Sequence, residues 1–284
     1  MTNSMRWDAG GTVGRDSESA AEGSVVVHRD DAVLHLVIDR PERRNSLSAP
    51  MIETLVTVLT EAASDDSLRA IHLRGSGGNF CSGVDWVASN RADGRRPRTG
   101  DLVRRIPHTA HRVIELLHTV HLPVVCSVQG WAVGLGCSLA LSADFAVATD
   151  DAVFWEPFLA RGFSPDSGST WLLPKLVGLT RAKRMLLLGD KVPAATAADW
   201  GLIDRCVPAN ELDSAAEDLL TRLAAGPTVA IGLAKQALAY GQHATLTQSL
   251  NQELLDLELA CRTSDFKEGL AAFRQRRAPD FQGR

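Results

Sequence analysis

An α/β fold with a C-terminal helical extension is predicted by three features of the chain. Short apolar and β-branched runs alternate with segments of helical periodicity over the first two thirds. From about Thr180 onward the periodicity is mainly helical, broken by one short strand, LIDRCV (202–207). Two glycine-punctuated turns, in SGVDW and VGLGCS, interrupt the alternating part.

Taken in order, VVVHR (25–29) and AVLHLVID (32–39) read as strands joined at Asp30 and Asp31. A helix is predicted from Ser48, its capping residue, to about Ala63, with Pro50 in the first turn. RAIHLRG (69–75) is the next strand and runs into the loop GSGGNFCSG. A polar, basic loop (90–100) precedes a helix from about His108 to Thr119, and Pro123 opens the strand VVCSV. GWAVGLGCSLALSAD reads as a turn entering a helix of small and apolar residues, suited to close packing. DFAVAT and VFW return as strands. PTVAIGLAKQAL, TLTQSLNQELLDLELACR and DFKEGLAAFRQRR carry helical spacing. No low-complexity linker intervenes, so the expected organisation is a tail (1–23), a core (24–208) and a helical segment (209–284).

Composition excludes several partners. With 284 residues, 45% apolar and 23% charged, the chain is an ordinary globular one. Its 30 basic and 34 acidic side chains leave a net charge of −4, no basis for binding nucleic acid or an anionic membrane. No run approaches ~20 apolar residues, and the polar N-terminus lacks the apolar core of a signal peptide. A cytoplasmic protein is expected. Cys81, Cys126, Cys137, Cys206 and Cys261 are scattered without metal spacing and read as core thiols. His108, His111, His118 and His121 surround one helix without acids at ligand spacing, so no metal is expected.

Each glycine turn offers backbone N–H groups that a helix cannot use internally. The glycines serve either as simple turns and packing sites or as two donors converging on one oxygen, an oxyanion hole. Asp166, in GFSPDSGSTW, is likewise either a cap for a helix beginning near Ser167 or a proton carrier.

Together, RPERRNSLSAPM, GNFCSGVDW, PVVCSVQGWAVGLGCSLALSADFAVA and FLARGFSPDSGSTWLLPKLVG strongly resemble the crotonase, or enoyl-CoA hydratase/isomerase, superfamily. The resemblance runs from about Val25 to the C-terminus. It implies a spiral of ββα units with C-terminal helices for trimerisation, as a homotrimer or dimer of trimers. It also implies an acyl-CoA thioester substrate, CoA entering as part of that substrate rather than as a cofactor. The carbonyl would be held by the Val84 and Leu135 amides, with Ser82, Gly83, Asp85, Trp86, Gly134, Ser138 and Phe158 around the substrate. Arg43 and Arg44 would meet the nucleotide phosphates, unless they are only solvated arginines. Phe273 and Arg276 from a neighbouring copy would reach the adenine end. Phe80, Trp131 and Trp155 would line the acyl pocket or pack in the core.

The departures narrow the chemistry. Hydratases of the superfamily carry glutamates where this chain has Ser138 and Phe158, and neither replaces a general base. Glu156, beside Pro157, is expected at the surface. Asp166 with non-acids at 138 and 158 looks like the 2-(1,2-epoxy-1,2-dihydrophenyl)acetyl-CoA isomerase group. The expected activity is a proton or double-bond shift in an enoyl- or ring-epoxide acyl-CoA, with Asp166 as shuttle. Three alternatives stand beside it: an atypical hydratase, a non-catalytic acyl-CoA binder, and a 4-chlorobenzoyl-CoA dehalogenase-like enzyme using His111 and Asp166.

Overall fold

Alternation decides the first strands. In β2 (Val33–Asp39) Leu34, Leu36 and Ile38 are buried while Val33, His35 and Val37 face the other way. A computed structural model describes residues 23–85 and 98–284; residues 1–22 and 86–97 lie outside the described residues. The predicted mobile tail (save Gly23), Trp86 and most of the basic loop fall there.

A six-stranded sheet runs β1-β2-β3-β4-β6-β9, with β1 (Ser24–Asp30), β3 (Ala70–Gly75), β4 (Val124–Val128), β6 (Phe145–Thr149) and β9 (Arg205–Val207). Only β1 and β2 pair antiparallel; the other neighbours are parallel. A second sheet holds β5 (Trp131–Val133), β7 (Val153–Trp155) and β8 (Val192–Pro193). After β4 the chain passes directly into β5, and after β6 into β7, so each turn gives one strand to each sheet and then a helix. Earlier turns repeat this with single bridges, Leu47 to Val84 and Cys81 to Ala132. This is the expected spiral of ββα units.

The helices are α1 (Ala49–Ala62), α2 (Asp101–Arg105), α3 (Ala110–Thr119), α4 (Leu135–Ser142), α5 (Ser169–Lys183), α6 (Ala194–Trp200), α7 (Leu212–Ala224), α8 (Thr228–Gly241), α9 (Leu246–Ala260) and α10 (Ser264–Gln275). The main core lies between the sheets and α1, α3, α4 and α5. A smaller core forms where Leu212, Ala216, Leu219 and Leu220 of α7 cover Ala70, Val125 and Val147. On that same sheet face His28 stacks on His35 at 4.6 Å, and His35 Nδ1 lies 3.1 Å from His72 Nδ1. His72 Nε2 then meets the Ser127 hydroxyl at 2.8 Å. No described helix is long and apolar enough to cross a membrane.

Candidate active site

Backbone pairing brings the two glycine turns together. Ser82 N–H donates to Arg44 O (3.0 Å), Leu47 N–H to Gly83 O (2.8 Å) and Asp85 N–H to Leu47 O (3.0 Å). From the other side, Val133 N–H donates to Cys81 O and Gly134 N–H to Trp155 O, both at 2.9 Å. These bonds consume the neighbouring groups and leave the Val84 and Leu135 N–H without an acceptor among the described residues. Leu135 opens α4, where the first amides are orphaned and the helix field is positive. The close approach demands glycine at two points. A Cβ on Gly83 would stand 2.8 Å from Val133 O, and one on Gly136 would stand 2.3 Å from Cys81 O.

Both amide-bearing residues border a small cavity of about 20 Å³, walled by Ser82, Gly83, Val133 and Gly134 on one side. Phe158, Arg161, Phe163, Asp166 and Ser167 close it opposite. Ser82, Val84, Arg161, Phe163 and Asp166 also line an adjoining cleft of about 1290 Å³. Its outer wall carries Arg43, Arg44 and Ser46, and its apolar wall Leu102, Val103, Ile106 and Pro107. His111 reaches the same cleft, with Nε2 buried and without a hydrogen-bond partner among the described residues.

Asp166 is half-buried, and Ser167 Oγ donates to its Oδ1 at 2.6 Å. The helix-cap reading fails here. α5 begins at Ser169 with Gly168 in the N-cap place and no side-chain cap bond. Ser167 and Gly168 both take positive φ, which separates the acid from the helix by a turn. It is the Asp166 carbonyl that accepts from Ser169, from N–H at 3.1 Å and Oγ at 2.9 Å. The carboxylate is left to face the cavity.

Other expectations need correction. Glu156 is not at the surface: it is wholly buried, because β7 carries it beneath α4, and burial pushes its carboxyl well above the ordinary range. Ser138 is also wholly buried and lines neither cavity; its hydroxyl lies against Glu156 rather than the substrate space. Phe80 is a core residue at 0% exposure. Trp131 and Trp155 lie 6.2 Å apart under Lys191, and neither lines the small cavity or the cleft. Asp85 lines the cleft, but its carboxylate is held by Arg40 at 2.9 Å. Arg40, the first residue of RPERRNSLSAPM, was given no role by sequence reasoning, and neither was the apolar wall at 102–107. Phe158 does line the small cavity, edge-to-face with Phe163 at 5.6 Å. Phe273 is 84% exposed and Arg276 caps α10 in left-handed conformation; neither lines the small cavity or the adjoining cleft.

A ββα spiral that brings two glycine turns side by side is the architecture of the crotonase fold. The chain belongs to the enoyl-CoA hydratase/isomerase family, which it matches over residues 28–284. It is 36% identical to the 1,2-epoxyphenylacetyl-CoA isomerase of Escherichia coli over 92% of this chain and 98% of that one. It is 33% identical to the 2,3-dehydroadipyl-CoA hydratase of the same organism, over 92% and 99%. The crystal structure of an enoyl-CoA hydratase from Bacillus anthracis superposes with a TM-score of 0.84 at 29% identity, covering 93% of this chain and 100% of that one.

Proposed function

We propose that this enzyme is an acyl-CoA isomerase that moves a proton, and with it a double bond, in an enoyl- or ring-epoxide acyl-CoA thioester. One observation carries the reading: among the described residues, Asp166 is the only acid lining the small cavity that Val84 and Leu135 also border. Hydration by two carboxylates asks for a base and an acid on the substrate together. A single carboxylate suits a shuttle, which takes a proton from one carbon and returns it to another. The negative charge that develops on the thioester oxygen falls to the Val84 and Leu135 N–H groups. The similarity to an epoxyphenylacetyl-CoA isomerase supports this choice. Arg43 and Arg44, at the cleft's rim, are the groups for the CoA phosphates, and CoA enters only as part of the substrate.

Assembly as a homotrimer or dimer of trimers belongs to the same reading. Leu246, Leu250, Leu254 and Leu257 of α9 are all more than half exposed in one chain, which another copy would cover. Phe273 and Arg276 are then free to serve a neighbour's site.

Replacing Asp166 by Asn tests the shuttle. Isomerisation of a 3-enoyl-CoA is expected to fall by roughly two to four orders of magnitude with acyl-CoA affinity little changed. Rapid hydration of crotonyl-CoA by the wild-type protein with no isomerisation would overturn the proposal.

A further inference from the structure

The first turn of α4 carries the Leu135 amide toward the substrate side and Cys137 and Ser138 toward the interior. Glu156 packs against that interior side. Among the described residues, neither of its oxygens has a hydrogen-bond partner of ordinary geometry, and nor does Ser138 Oγ. The shuttle mechanism leaves this carboxyl without a task. A lone carboxylate sealed there, with no hydrogen bonds in place of its hydration, is strongly disfavoured, and burial accordingly favours the protonated form. Among the described residues, the titratable groups that act on it are Cys137 from α4 and Asp166 from the loop before α5. Burial raises the carboxyl most; the Cys137 thiol beside it draws it down, and Asp166 raises it again. Cys137 is itself held as a thiol, first by burial and then by Glu156.

The reaction builds negative charge on an oxygen at the N-terminus of α4, where the helix field favours it. A charge on Glu156, under the same turn, would cancel part of that field and repel both the forming enolate and Asp166. We propose that Glu156 is a positioning residue acting through Asp166 and the α4 turn: its proton limits the site to one carboxylate charge, and its loss to solvent base stops proton transfer at the substrate. This rests on Asp166 as the proton carrier.

The test compares kcat/KM for isomerisation against pH in the wild-type and Glu156→Gln proteins. Wild type is expected to lose about tenfold or more on the alkaline side, at pH values where circular dichroism shows an intact fold. In the Gln protein that limb is absent or displaced upward by about one pH unit or more. The same limb in both proteins, or none in wild type, overturns the inference. Infrared spectroscopy gives a reading independent of turnover. A protonated carboxyl band is expected at neutral pH in wild type and not in Glu156→Gln. In Asp166→Asn, with the facing charge removed, that band is lost at lower pH than in wild type. Should the Gln protein not fold, a band that stays unmoved between wild type and Asp166→Asn sinks the coupling on its own. Full activity of Asp166→Asn would instead sink the proton-carrier reading, so the two failures are distinguishable.

Discussion

Helices α4 and α9 stand at opposite extremes of one chain. All eight residues of α4 are buried, whereas none of the fifteen of α9 is. α4 is built of small side chains, Gly136, Cys137, Ser138 and Ala140 among them, so its backbone can press against neighbouring strands and hold one amide in place. α9 is held by a capping box at Thr245 and Gln248 and carries leucines outward. Where a helix sets the geometry of chemistry, its own chain encloses it. Where a helix carries exposed leucines, as α9 does, any enclosure would have to come from another copy, as proposed above.

Acid is expected to act most strongly on the other buried face, the one beneath α7. His72, under α7, is held at about 3, mainly by burial and then by His35 and Arg74. The folded protein therefore binds a proton there less readily than the unfolded chain. This contribution to stability is complete above about pH 6.5 and is lost as the pH falls toward 3, reaching on the order of 4 kcal/mol. Urea unfolding at neutral pH and near pH 4.5 checks this against His72→Gln, which is expected to lose roughly 2 kcal/mol less than wild type on acidification. Equal losses would remove His72 as the cause.

The exposed side is broken by charge. Leu250→Lys combined with Leu254→Lys is expected to weaken self-association by roughly 3 kcal/mol, from the apolar burial forgone. Light scattering should report smaller particles with circular dichroism unchanged. A wild-type protein that is monomeric at micromolar concentration would refute the contrast itself.

Gly136→Ala tests how tightly α4 is pressed. The new Cβ meets the Cys81 carbonyl at 2.3 Å, backbone that cannot swing aside. A loss of about 2 kcal/mol in a thermal melt is expected, with turnover falling further because the Leu135 amide moves. The smallest effect belongs to Asp166→Ala, which should change stability by no more than about 0.5 kcal/mol, since the carboxylate caps nothing. A loss near 1 kcal/mol would restore the cap.

Much of this protein was decided by the sequence alone, wherever the cause is local. The alternation in LHLVID, the apolar run VVCSV and the Pro-led start of α1 each specify an element through nearby residues. The two glycine turns were legible for the same reason, since only glycine admits the backbone approaches found at Gly83 and Gly136. Tertiary structure decided the rest. Glu156 beside Pro157 has every local mark of a surface residue, yet β7 slides it beneath a helix from the preceding turn of the spiral. Asp166 has the local mark of a helix cap, yet two left-handed residues turn its carboxylate into a cavity whose opposite wall is more than thirty residues earlier in sequence. Burial and charge proximity are properties of segments brought together across the fold, and no short window of sequence contains them.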